Sequence, residues 1–333
     1  MITFASVKEK IKVFPTAVSV FFASSGFRYF IKRFALALLT VMTVITITFF
    51  VMHAVPGGPF LSEKAVSDEV MAELMEKYGL DKPLLVQYFT YIKDIFLRFD
   101  FGPSLKQRGR DVIEIIGSGL KVSAKLGLFA AIPAILIGVF LGSLAAVKRN
   151  GFFDRVTMIV TSLFVSTPSF IIGTLLLYVF STLLGILPAN GAATSGFRGL
   201  ILPVITLSLY PTAYITRLTR SSMLDALSQD YIRTAVAKGA PRWKIIFVHA
   251  LKGALTPVIT YIGPMIASIV TGSLVVEQIF AVPGIGRAFV GSITGRDYPL
   301  IMGTTIILSV LIVIMNLIGD LLYKVADPRV RLE

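Results

Sequence analysis

Six long apolar runs dictate what this 333-residue chain can become; they cover residues 34–53, 126–147, 156–183, 199–215, 255–276 and 301–323. At 1.5 Å per residue, about 20 residues cross the ~30 Å hydrocarbon layer, while buried helices of soluble proteins show apolar runs of roughly 10–14. Inside lipid every backbone N–H and C=O must be bonded within the protein, so runs of this length become helices. The expectation is an all-α, polytopic membrane protein with six transmembrane helices. The fourth run is the shortest and carries Pro203 and Pro211; Pro133, Pro168, Pro257 and Pro264 interrupt others. Such prolines fit a packed bundle whose neighbouring helices satisfy the freed carbonyls.

Only 15% of the residues are charged and mean hydropathy is +0.81. Soluble domains carry about 25% charged residues. The absence of cysteine excludes disulfides, thiol catalysis and thiolate metal sites. The two histidines, His53 and His249, stand far apart in sequence, and no phosphate-binding G-x-x-x-x-G-K-[ST] loop occurs. The spans contain no Ser/Lys dyad, paired carboxylates or chain of Asp, Glu and His that would suit an intramembrane enzyme or a proton relay. An ion-driven secondary transporter would also call for inverted repeats, which the sequence does not display.

The net charge of +13 is unevenly placed. With both termini and the segments 148–155 and 216–254 on one side, that side holds 19 Lys and Arg against 7 Asp and Glu. The other side holds 13 against 12. The positive-inside rule then puts both termini in the cytoplasm. The excess basic charge sits at membrane edges, which gives no reason to invoke nucleic acid. An apolar stretch at 13–23 is too short to span and reads as an interfacial segment between basic clusters.

The outer segment 54–125 has its own helical grammar. Ser67 suits an N-cap, Gly79 a stop, and Val70, Met71, Leu74, Met75 and Tyr78 share a face. A second helix begins near Asp81 and Pro83, with Leu84, Tyr88, Tyr91, Ile92 and Ile95 on one stripe. Either a structural cap over the bundle or a docking surface for an external partner would look like this. Further on, residues 280–287 are too apolar for an ordinary loop and predict a re-entrant or tightly turned element. Glu277, at its start, is expected to pair with Arg287 or Arg296. In the last span Asn316 and Asp320 are polar, and Asp320 is placed for an i,i+4 ion pair with Lys324. Gly138 and Gly142 form a G-x-x-x-G pair that permits close helix approach.

The inner segment 216–254 is the most specific. Asp230 is expected to cap a short helix running through Lys238, Gly239 to end it, and Pro241 to prevent its continuation. A second helix carries Trp243, Ile246, Phe247 and Ala250 towards the fifth span, leaving Arg233, Lys238, Arg242 and Lys244 exposed. Thr234-Ala235-x-Ala237-Lys238-Gly239, followed by His249-Ala250-Leu251 and Pro257, resembles the "EAA" loop of bacterial ABC import permeases. Arg233, Thr234 and Ala235 stand at the Glu-Ala-Ala positions, and Lys252 falls where the broad family has proline. Arginine in place of the glutamate is similar to the peptide and nickel branch. Val55-Pro56-Gly57-Gly58-Pro59, Tyr78–Tyr88, Asp100-Phe101-Gly102 and Leu187-Pro188-Ala189-Asn190-Gly191 are similar to segments of the oligopeptide/dipeptide branch, first permease type. So are Val282–Arg287, Arg296-Asp297-Tyr298-Pro299 and Ala326–Arg331.

That resemblance implies a type I ABC importer permease fold in a bacterial or archaeal cytoplasmic membrane, moving oligopeptides or dipeptides by alternating access. Nickel, glutathione and oligosaccharide importers share the pattern. It divides the chain into an extension at 1–27, a first span with outer loop at 28–120, a core at 121–324 and a tail at 325–333. It also implies a homologous second permease subunit, two cytoplasmic ATPase subunits and an extracytoplasmic solute-binding protein. ATP and Mg would act in the ATPase subunits, with no cofactor on this chain. The ATPase-coupling residues would be Asp230, Arg233, Thr234, Ala235, Lys238, Gly239 and Ala240; the pathway residues are left unassigned.

Overall fold

A computed structural model describes residues 25–326 apart from 57, 61–67 and 108. The interfacial stretch at 13–23, the Ser67 cap and the tail beyond Ala326 lie outside the described residues, as do the side chains of Asp320 and Lys324. The described chain is helical throughout, with a lone bridge between Pro103 and Asp111.

Helix α1, Ser25–Ala54, crosses first and shows lipid an apolar face that includes Phe34, Leu39 and Ile47. Two outer helices follow, α2 at Asp68–Lys77 and α3 at Leu84–Arg98. Gly79 stops α2 with φ +65°, and Pro83 precedes the first turn of α3, where its missing N–H costs nothing. Most of the stripe expected on α3 turns inward: Ile95 is buried, with Tyr88, Tyr91 and Ile92 packed beside it against α1, while Leu84, in the first turn, stays exposed. Helix α4, Val112–Val147, is 36 residues long and therefore about 54 Å.

The third apolar run does not form one continuous span. It breaks at Thr167-Pro168 into α5, Phe152–Ser166, and a second arm, α6 at Ser169–Leu177 with a π-helical end at Tyr178–Leu183. The two arms meet at 102°. Proline disfavours helical geometry in the residue before it, and Thr167 accordingly adopts extended backbone.

Helix α7, Ala192–Leu227, corrects the inner boundary. The segment expected to leave the helix at 216 remains helical to Leu227, because Arg217 and Arg220 lie on a helix that projects beyond the apolar run. The inner connection is correspondingly shorter. It holds α8, Asp230–Ala237, and a turn at Arg242–Lys244 that passes through a π-helical stretch, Ile245–Ala250, into α9, Leu251–Ile279. A tight outer turn leads to α10, Ile285–Gly295, and then α11, Tyr298–Ala326.

Five of these helices are long and apolar enough to cross a membrane, and the bent pair α5–α6 brings the number to six when it is counted as one span. The most extensive helix pair is α4 with α7. The glycine pair makes it possible: a Cβ on Gly142 would stand 2.5 Å from the Thr216 carbonyl oxygen, and one on Gly138 would stand 2.7 Å from Ile215. The G-x-x-x-G motif is thus consumed inside the chain, by close approach of two of its own helices. Asn316 is exposed on α11.

Candidate functional site

All seven predicted coupling residues fall in one compact unit at the inner end of the bundle. Helix α8 is anchored by a single buried side chain, Ile232, set among Ala146, Met223, Ala226, Ala250 and Ala254. These come from α4, α7 and the root of α9, and α8 itself packs chiefly on the π-helical stretch Ile245–Ala250. Asp230, Arg233, Thr234 and Lys238 face outward, while Ala235 and Ala240 are half-buried. Asp230 does not cap through its side chain. It is the first helical residue, after Gln229 in extended conformation, and it brings negative charge to the positive end of the helix. Its carboxylate lies 3.5 Å from the Arg233 guanidinium, and the Thr234 hydroxyl donates to the Asp230 carbonyl at 3.0 Å. That ion pair is solvent-exposed and contributes little to stability.

The end of α8 is a Schellman motif. The Gly239 N–H donates to the Val236 carbonyl at 2.9 Å and the Ala240 N–H to the Ala235 carbonyl at 3.1 Å, with Gly239 at φ +75°. Only glycine adopts that conformation without strain. A Cβ at this position would meet nothing within 4 Å, so the requirement is conformational and not one of space. Pro241 then redirects the chain.

Around this unit lies a mixed surface. Trp243 (61% exposed), Phe247 and Val236 stand among Arg233, Lys238, Arg242 and Lys244. Aromatic residues and arginine together are the composition favoured at protein interfaces.

A feature that the sequence did not signal holds the unit's foundations. Asp154, 2% exposed, receives the Arg220 guanidinium through both oxygens, at 2.5 and 2.8 Å, and the Asn150 N–H at 2.8 Å. This fork clamps the turn between α4 and α5 to the inner extension of α7. The partners are 66 positions apart, and nothing in local spacing pairs them.

Two carboxylates organise the outer side. Glu277, fully buried, takes the Ser123 hydroxyl at 2.5 Å and the Arg287 backbone N–H at 3.1 Å, with further bonds from Ser273 and the backbone of Gly286. The expected arginine side chains do not serve this carboxylate. The Arg287 guanidinium instead donates to the Ala281 carbonyl at 2.9 Å. A Cβ on Gly284 or Gly286 would fall within 2.8 Å of the Glu277 carboxylate, so the Val282–Arg287 turn is a glycine-lined cradle for it. Asp297, also buried, accepts from the Ser104 hydroxyl, from the Leu105 N–H at 3.1 Å, and from Leu300 N–H at the start of α11. It thereby ties the outer segment to the last span. Gly191 N–H donates to the Phe280 carbonyl at 2.6 Å, joining two more of the turn-rich outer segments.

Comparison with known proteins agrees with this architecture. Residues 138–332 match the family described as binding-protein-dependent transport system inner membrane component, and residues 26–107 match its N-terminal companion. The chain is 47% identical over 306 residues to the dipeptide transport system permease protein DppB of Bacillus subtilis, covering 92% of this chain and 98% of that one. It is 42% identical to the oligopeptide transport system permease protein OppB of Escherichia coli, over 91% of this chain and 99% of the relative. Among solved structures, an inward-facing MetNI methionine ABC transporter superposes with a TM-score of 0.54 at 17% identity, over 65% of this chain and 97% of the other. That likeness concerns the fold.

Proposed function

The chain belongs to the binding-protein-dependent transport system inner membrane component family, and from that premise we propose that it is the permease subunit of an ATP-driven importer of dipeptides or oligopeptides. The observation that carries the substrate class is the 47% identity, over nearly the whole chain, to a dipeptide permease. In this reading the inner face is cytoplasmic, as the distribution of Lys and Arg supports. Helix α8 and its Gly239 stop dock on a cytoplasmic ATPase subunit, where ATP and Mg are used. The exposed Trp243 and its basic neighbours form part of the same contact. A homologous second permease supplies the other half of the pathway, and an external binding protein delivers the peptide.

Mechanically, ATP-driven closure of the ATPase pair displaces α8. Because α8 packs on the π-helical root of α9 and Ile232 joins a cluster with side chains of α4 and α7, the displacement reaches more than one span. The Asp154–Arg220 fork passes it on to α5. The decisive experiment is uptake of a radiolabelled dipeptide by proteoliposomes holding the complete assembly, purified through a tag on this chain. ATP-dependent uptake and co-purification of an ATPase subunit in gentle detergent are expected. A purified chain that brings no ATPase subunit, or an assembly that hydrolyses ATP and takes up no peptide, refutes the reading.

A further inference from the structure

The break at Thr167-Pro168 opens a groove of about 350 Å³ between α5, α6, α7 and α9. Thr167, Ser169, Thr206, Tyr210 and Ser268 line it, together with Pro168 and Pro211. Small-molecule pockets begin near roughly 300 Å³. Three helices independently set its depth. The break ends the first half of the α5–α6 span, Tyr210 lies midway along α7, and Ser268 stands in the outer half of α9. Non-helical backbone at such depth persists only where protein buries it or water reaches it. Ser166 and Pro168 are exposed on this chain, so the break is not buried within it.

The lining holds hydroxyls among apolar side chains, and no charged side chain contributes. Thr167, half-buried, donates its hydroxyl hydrogen to the Leu163 carbonyl at 2.8 Å, which leaves its oxygen lone pairs as acceptors. Ser169, Tyr210 and Ser268 bring hydroxyls of a kind that both donates and accepts. Pro211 has no N–H to offer the carbonyl of Leu207, another lining residue. The groove is therefore uncharged and hydroxyl-bearing, a surface that suits the N–H and C=O groups of a peptide main chain.

We propose that this groove is a station in the translocation pathway, where the peptide main chain is held by hydroxyl groups at the break in the third apolar run. The proposal rests on the peptide reading above. Since the chain has no cysteine, Tyr210→Cys gives it a unique thiol that can be probed with a water-soluble methanethiosulfonate ammonium reagent in the complete reconstituted assembly. Ser268→Cys serves as a second position should the first variant fail to assemble. Leu163→Cys, on an exposed apolar face of α5 outside the groove, is the control. The expected result is labelling of the groove thiol, at least fivefold slower with saturating dipeptide and binding protein, and loss of uptake on labelling while ATP hydrolysis persists. The control should show no protection by peptide. A groove thiol that the reagent does not reach, or that reacts without protection and without loss of uptake, overturns the proposal. These outcomes are read in an assembly whose unmodified form imports the dipeptide. An unmodified assembly that imports none overturns the peptide reading instead.

Discussion

Replacing Glu277 with leucine tests the outer cradle most directly. Leucine is close to glutamate in volume, so the substitution removes acceptors without opening a large cavity. The backbone N–H groups of Gly286, buried, and Arg287, part-buried, lose their partner. The hydroxyls of Ser123 and Ser273 can rotate, and Ser123 keeps its bond from the Ile285 N–H at 2.9 Å. An orphaned buried donor costs about 1–3 kcal/mol, so two cost roughly 2–6 kcal/mol. With an unfolding entropy of about 2.1 cal/mol/K per residue over about 300 residues, the midpoint falls by roughly 3–10 °C. Glu277→Gln retains one acceptor oxygen for the backbone N–H groups and can turn its amide towards Ser123, so it should fall between the two. The assay is the thermal midpoint of the detergent-solubilised protein, followed by fluorescence-detected size exclusion. A leucine variant within about 1 °C of the parent would refute the cradle argument, as would a glutamine variant as damaged as the leucine one.

The inner face yields three further expectations. Gly239→Val forces a β-branched residue into φ +75°, at a cost of about 1–2 kcal/mol, and should reduce ATP-coupled uptake about 5- to 30-fold while membrane insertion is unchanged; unchanged uptake would exclude a coupling role for this turn. Arg220→Ala strands Asp154 in a buried site and should destabilise by about 3–5 kcal/mol; the double variant Asp154→Leu, Arg220→Met should recover much of that loss in the same thermal assay, and a double variant worse than the single one would contradict the fork as described. Cysteines introduced one at a time at Lys82 and Ser228 report orientation: an impermeant reagent added outside intact cells should label only the Lys82 position, and labelling at Ser228 would invert the topology.

The apolar runs were legible because lipid imposes a simple length rule, and α8 was legible because its stop chemistry is local. Gly239 and Pro241 carry that information within three residues. The structure departs from the sequence reading where geometry depends on distant partners or where helix and membrane end at different places. Residues 156–183 read as one span, although 28 residues exceed the hydrocarbon thickness by about two turns; Pro168 marks the break, whereas its 102° angle and the packing of both arms against α7 are tertiary. Helix α7 outlasts its apolar run because Arg220 has a carboxylate waiting, contributed by another inner turn. For Glu277 the sequence offered two arginines, and the fold used backbone N–H groups from a glycine turn. Charge alone suggests charged partners, whereas a buried carboxylate is equally well served by amides.

The tight pairing of α4 and α7 has a kinematic consequence. Beyond the non-helical backbone at Gly196, α7 runs helically to Leu227 with Pro203 and Pro211 inside it, held to α4 by backbone-close contact at Gly138 and Gly142. Along it Tyr210 lies about 21 Å from Gly196 and Leu227 about 46 Å. Rotation about the Gly196 break would therefore move the mid-membrane tyrosine slightly less than half as far as the inner tip. Under the coupling and the groove proposed above, α7 would work as a reducing gear, trading amplitude at its α8 end for force at Tyr210.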